Sequence, residues 1–182
     1  NGAKVKPVYL TKLPKDLKSL GDTKTKRELF IKIILPLILD ENQKILEDRK
    51  KLFKILSKNF NTPGERVWLK RRFKEYKIDD KDLGKLKMRM DIVPVSIALA
   101  QAANESGWGT SRFALEGNAL FGQWTWLGEG LKPKDAKKGE DHKVMKFNIL
   151  QASVRAYQRN LNTHPTYKDL RKARAEFRDS NK

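Results

Sequence analysis

Residues 93–105 read VPVSIALAQAANE and are followed at once by SGWG. A segment this rich in alanine, apolar nearly all round, with Pro94 acceptable in its first turn, reads as a buried central helix around which other elements must pack. Gly107 is well placed as its C-terminal cap, and Gly109 loosens the chain just beyond. The helix is therefore expected to end at Glu105. The flanking sequence is helical as well. Leu29, Ile33 and Leu37, then Ile45, Leu52, Phe53, Ile55 and Leu56, recur at helical intervals between Thr25 and Asn59. They predict one long helix kinked at Pro36, or two helices meeting near Asp40. NTPGE, Asn61 to Glu65, is expected to stop that helix.

A second helix is expected to carry Val67, Trp68, Phe73 and Tyr76. KIDDKD, Lys77 to Asp82, then serves as turn and cap for a short helix through Leu83, Leu86 and Met90. Helically spaced aromatics of this kind are assigned to the core. The stretch from Leu120 to Phe147 mixes aromatics, glycines and short apolar pieces such as LFGQWTW and HKVMKF, so it is the one place for a small hairpin or sheet. A final helix or pair of helices follows through Val154, Tyr157, Leu161 and Leu170. The expected fold class is mainly α with one small β element.

A chain of 182 residues is long enough for one domain, or for one core carrying an appended helical layer. The pattern sets apart an extended lead-in over 1–24, a basic helical segment over 25–90 and the motif-bearing segment over 91–182. Pro7, Pro14 and Gly21 among lysines make the first 22 residues look extended and poorly anchored. The opening NGAKVKPVYL lacks the apolar core of a signal peptide, so any export signal is expected to have been removed or never to have been there. The stretch from Leu29 to Leu39 is too short to span a bilayer and is interrupted by Lys32 and Pro36, so no membrane span is expected. The chain holds no cysteine and two histidines. Disulfides, a thiol nucleophile and zinc–thiolate chemistry are excluded, and neither a metal nor a cofactor is expected.

The net charge of +18 is uneven: residues 1–90 carry 25 Lys and Arg against 12 Asp and Glu, residues 91–182 carry 15 against 10. Such a surface favours a polyanion, whether nucleic acid, acidic lipid headgroups or an anionic cell-wall polymer; the alternative is a solvated face with no partner.

Steps of four residues place Ile97, Gln101 and Glu105 on roughly one helix face, and the acid emerges where the helix stops. The partial negative charge of a helix C-terminus and shielding by Trp108 both favour a carboxyl that keeps its proton. That is what a general acid in glycoside hydrolysis needs. Gly107 and Gly109 would let the backbone approach a polymer closely. Trp108, Phe121, Trp124 and Trp126 offer flat apolar faces on which sugar rings can lie, although on a strand Trp124 and Trp126 would share one side and Phe121, of opposite parity, would point toward the hydrophobic centre.

ALAQAANESGWGTSRFALEGNALFGQW, residues 98–124, resembles the signature of the bacterial peptidoglycan N-acetylglucosaminidases of glycoside hydrolase family 73, in particular the Bax-like branch. SVRAYQRNLNTHPTYKDLR, Ser153 to Arg171, is similar to that branch's closing segment, and FIKIILPLILDENQKILEDRKKL, Phe30 to Leu52, to its amino-terminal helical extension. The resemblance implies a lysozyme-like, mainly α fold with a small β-lobe across a substrate groove. It implies cleavage between N-acetylglucosamine and N-acetylmuramic acid, with Glu105 as general acid. For the second acid, on the β-lobe, it points to Glu140 in KKGEDH, with Asp141 and Glu129 as neighbours. It places a tyrosine from the closing helices in the groove, matching Tyr167, with Tyr157 the other candidate. Asn118 and Gln123 fall in the motif and join the aromatics as candidate substrate-binding residues. A tyrosine hydroxyl could orient the substrate's acetamido group, which can itself attack the anomeric carbon. A water-activating acid is the other route.

The expected partner is then the peptidoglycan glycan strand, together with anionic wall or envelope polymers, in the periplasm, the cell envelope or outside the cell. Two other functions compete: a noncatalytic glycan-binding protein, against which the intact Glu105 speaks, and a nucleic-acid-binding helical protein. The latter lacks a recognition motif, and no nucleic acid is expected.

Overall fold

The computed structural model describes residues 9–125, 130–132 and 143–180. Seven α-helices are seen among them: α1 (Thr23–Leu56), α2 (Pro63–Glu75), α3 (Leu83–Arg89), α4 (Val95–Ser106), α5 (Arg112–Gly117), α6 (Leu150–Thr163) and α7 (Lys168–Ser180). Three short strands, β1 (Trp124–Thr125), β2 (Gly130–Leu131) and β3 (Lys143–Met145), form an antiparallel sheet in the order β1-β3-β2. Trp124 lies opposite Val144, and Leu131 opposite the same residue from the other edge. The mainly α fold with a small β-lobe is thus as the sequence implies, and the sheet falls inside the 120–147 window.

The chain divides into two compact units, one of Asn1–Asp40 with Pro94–Arg155, the other of Glu41–Val93 with Ala156–Lys182. These differ from the consecutive segments 1–24, 25–90 and 91–182, because each unit takes stretches far apart in sequence. In the first unit, α1 passes Pro36 unbroken. An internal proline costs about 3 kcal/mol. Ile33, Ile34, Leu37 and Ile38 around it are all buried, and each contributes roughly 1.5–3 kcal/mol, so burial outweighs the lost hydrogen bond. The described part of the lead-in is anchored, contrary to expectation. Leu13 and Leu17 are buried on a 3-10 turn, Lys15–Ser19, and the Leu150 amide donates to the Thr11 carbonyl at 2.9 Å.

In the second unit α1 ends at Leu56, and the prolyl-glycyl step at Pro63 starts a helix instead of stopping one. Pro63 sits where its missing N–H costs nothing. Thr62 and Glu65 form a reciprocal capping box, the Glu65 amide donating to Thr62 Oγ1 and the Thr62 amide to Glu65 Oε2. Asp82 caps α3 through the Lys85 amide. Leu52, Phe73, Tyr76, Ile78, Leu86 and Met90 make the core, with Trp68 and Leu69 partly buried against it. Phe53 is the exception to the core assignment: it is exposed, with Arg49 and Lys87 over its ring. Buried Asp91 is paired with Arg174 and Arg178, and the Asn42 side chain bonds both the carbonyl and the amide of Val93.

Candidate active site

Helix α4 positions the acid. Its buried stripe is narrow, made of Ala98, Ala102, Ala103 and Ser106, while Ile97, Gln101 and Glu105 are all exposed. The helix is therefore half open where the sequence predicted burial all round. Alanine carries no polarity to mark which side faces water, so the pattern looked uniform. The three residues on one face are as expected, and that face is the open one.

The helix ends at Ser106, one residue after the predicted end, and Gly107 closes it in the left-handed conformation as expected, with its amide donating back to the Ala103 and Asn104 carbonyls. Buried Ser106 holds the turn that follows, its hydroxyl donating to the Ala102 carbonyl and accepting from the Gly109 amide at 2.8 Å. Gly109 does not face a polymer. A Cβ there would meet Phe30, Leu13 and Leu17 at 2.9–3.1 Å, so the residue lets the backbone press into the core. Trp108 likewise turns inward, edge-on to Phe30 at 5.8 Å between ring centres and with the Arg27 guanidinium 5.0 Å over its ring. Glu105 stays exposed, so the cover expected from Trp108 is not formed. Trp108 instead borders an open cleft of about 460 Å³ with Ile31, Leu99, Ala100 and Asn104. The last two lie beside the Ile97–Glu105 face on the helix surface.

The carboxylate of Glu105 meets the lead-in to β1. Gly122 adopts φ +58°, and its absent side chain leaves room that Glu105 Oε2 fills, 3.3 Å from where a Cβ would stand. Only glycine adopts this backbone without strain and also admits the acid. Two residues on, Trp124 in β1 is 48% exposed, so a large apolar face lies open on the same short stretch that meets the acid.

Other predicted binding residues are structural in this unit. Phe121 is 8% exposed and belongs to the core rather than to a sugar-binding surface. Asn118 is buried as the left-handed cap of α5, and its Nδ2 donates to the Phe147 carbonyl at 2.8 Å, which ties the helix to the segment after β3. Gln123 is half-buried, and its carbonyl accepts from the Met145 amide at 2.8 Å. Ser153 was not anticipated; its buried hydroxyl accepts from the Leu120 amide at 3.1 Å and fixes the chain before the β-lobe. A serine on a helix gives no sequence signal of such a long-range contact.

Tyr157 and Tyr167 fall in the second unit. Tyr157 on α6 is buried, and burial, with Tyr167 nearby, pushes its hydroxyl up to about 12. Tyr167 stands on the 3-10 turn Pro165–Tyr167, half-exposed, edge-on to exposed His164 at 6.2 Å. His164 serves as that turn's cap, its Nδ1 accepting from the Thr166 amide. Trp126, Glu129, Glu140 and Asp141 lie outside the described residues.

Residues 81–181 match the family model of the glucosaminidases, described as mannosyl-glycoprotein endo-beta-N-acetylglucosaminidase. The chain is also similar to the protein bax of Escherichia coli (strain K12), with 34% identity over 172 residues, covering 90% of this chain and 60% of the relative. It thus spans about 60% of that relative's length. No solved structure matches it.

Proposed function

We propose, from the premise that this chain belongs to the glucosaminidase family, that it hydrolyses the β-1,4 bond between N-acetylglucosamine and N-acetylmuramic acid in peptidoglycan. Glu105 is the general acid. The observation that carries this reading is the carboxylate of Glu105 at the open end of α4, seated against Gly122 with the exposed Trp124 two residues beyond. An acid there can meet a polymer lying along the surface, and its proton goes to the glycosidic oxygen as the bond to the anomeric carbon breaks. Trp124, with Trp126 next but one, supplies a face for the sugar rings, and the cleft beside Trp108 takes a neighbouring apolar sugar face. Glu140 is the acid that activates water on the opposite side of the ring. For the other route, attack by the acetamido group, the family resemblance offers Tyr167 or Tyr157 as the residue that orients that group.

Peptidoglycan as substrate supports the periplasm or cell envelope as the place where the protein acts. Clearing of a peptidoglycan gel by the purified chain, followed by mass analysis of the new reducing ends, tests the proposal. N-acetylglucosamine at those ends supports it; N-acetylmuramic acid there means that the other glycosidic bond is cut.

A further inference from the structure

The second unit carries a surface that hydrolysis does not use. Between Arg49 and Lys77 the sequence holds eleven lysines and arginines against two acids, Glu65 and Glu75. Both acids are engaged locally: Glu65 pairs with Lys58 and closes the capping box, and Glu75 pairs with Arg72 and Arg159. Lys50, Lys51, Lys54 and Lys58 on and after the last turns of α1, and Arg66, Lys70 and Lys74 on α2, are exposed.

At the corner between these helices stands Phe60, 89% exposed, the most exposed large hydrophobic side chain among the described residues. The segment that presents it is held by hydrogen bonds. The Ser57 amide donates to the Phe53 carbonyl at 3.0 Å, Arg66 Nη1 donates to the Asn61 carbonyl at 2.8 Å, and the Lys58–Glu65 pair spans the corner. On α2, Val67 is 52% exposed and shares a face with Lys70 and Lys74. Lys70 and Lys74 also flank an open groove of about 730 Å³ whose apolar wall is made by Leu69, Phe73 and Ile78.

A hydrophilic polyanion would satisfy the cations and gain nothing from Phe60, Val67 or the groove. An anionic bilayer surface takes both: phosphates meet the lysines, each contributing on the order of 1 kcal/mol, and apolar side chains enter the boundary between headgroups and acyl chains. We propose that the α1–α2 corner is a docking surface for an anionic phospholipid bilayer, with Phe60 inserted and the surrounding lysines and arginines on the lipid phosphates. No described helix is long and apolar enough to cross a membrane, so the contact is peripheral.

Co-sedimentation of the full chain with vesicles of phosphatidylcholine and phosphatidylglycerol, or of phosphatidylcholine alone, tests this. Binding should require phosphatidylglycerol and weaken as salt is raised. Phe60→Ser should keep the melting temperature and the turnover of short soluble glycans while weakening vesicle binding about tenfold. Phe60→Trp should bind and shift its emission to shorter wavelength when vesicles are added. Any of these results overturns the proposal: equal binding to both vesicle types, Phe60→Ser binding as the unaltered chain does, or Phe60→Trp emission unmoved by vesicles. Retention on isolated cell wall without vesicle binding would assign the surface to the wall polymer instead. The vesicle-binding and emission readouts do not depend on hydrolysis, so their failure leaves the proposed reaction standing.

Discussion

Glu105 and Gly122 form a pair that only the folded chain reveals. Helix periodicity and the following Gly-Trp-Gly put Glu105 on one face with Ile97 and Gln101 and within one residue of the end of α4. Gly122 carried no local sign that its missing side chain makes room for a carboxylate. Gly122→Ala should cost about 1–2 kcal/mol for the left-handed backbone, visible as a lower melting temperature. It should lower hydrolysis further than that loss explains, because the added Cβ stands 3.3 Å from Glu105 Oε2. Unchanged turnover in the folded fraction would show that the position of the carboxylate there does not matter. Asn118 is hard to place from sequence for the converse reason, since a buried cap carries the same letter as a binding asparagine, whereas the parity that sets Phe121 opposite Trp124 already points it toward the core, where it lies. Glu140→Gln should lose activity and recover part of it with added azide, as a water-activating acid would. A modest loss without rescue would favour attack by the acetamido group.

Among the elements, type was more legible than boundary or burial. Caps and periodicity are local, so α2, α3, α6, α7 and the β-lobe fall where the pattern puts them. Asn61–Glu65 was misread because a proline that ends one helix and a proline that begins the next look alike until the Thr62–Glu65 box is considered. Thr62→Ala should lower stability by about 1 kcal/mol, read by denaturant unfolding. The half-open state of α4 was hidden by its alanines. On the β-lobe, Trp124→Ala should weaken glycan binding with little change in melting temperature, whereas Phe121→Ala should destabilise by about 3–5 kcal/mol, consistent with their opposite burial. Equal unfolding of both variants, with glycan affinity of the folded fraction intact, would remove Trp124 from the binding surface.

At the level of the molecule, sequence periodicity could not foretell that each compact unit would draw on distant segments, since it reports only neighbours along the chain. The charge imbalance was legible at once, but its concentration around an exposed aromatic needed the α1–α2 corner to be built. Two tyrosines of the second unit, Tyr76 and Tyr157, are pushed up to about 12, in both cases first by burial. With folded values above the ordinary value near 10, their contribution is complete below pH 10. It is lost as pH rises from about 10 through 12, because ionisation then favours the unfolded chain. Melting temperature measured across that range should fall, and Tyr157→Phe should flatten part of the fall. The central claim is the role of Glu105, and hydrolysis of purified peptidoglycan by Glu105→Gln tests it most directly. The variant should melt as the unaltered chain does and lose roughly 100- to 10,000-fold in turnover. A folded Glu105→Gln protein with near-undiminished turnover would contradict the account.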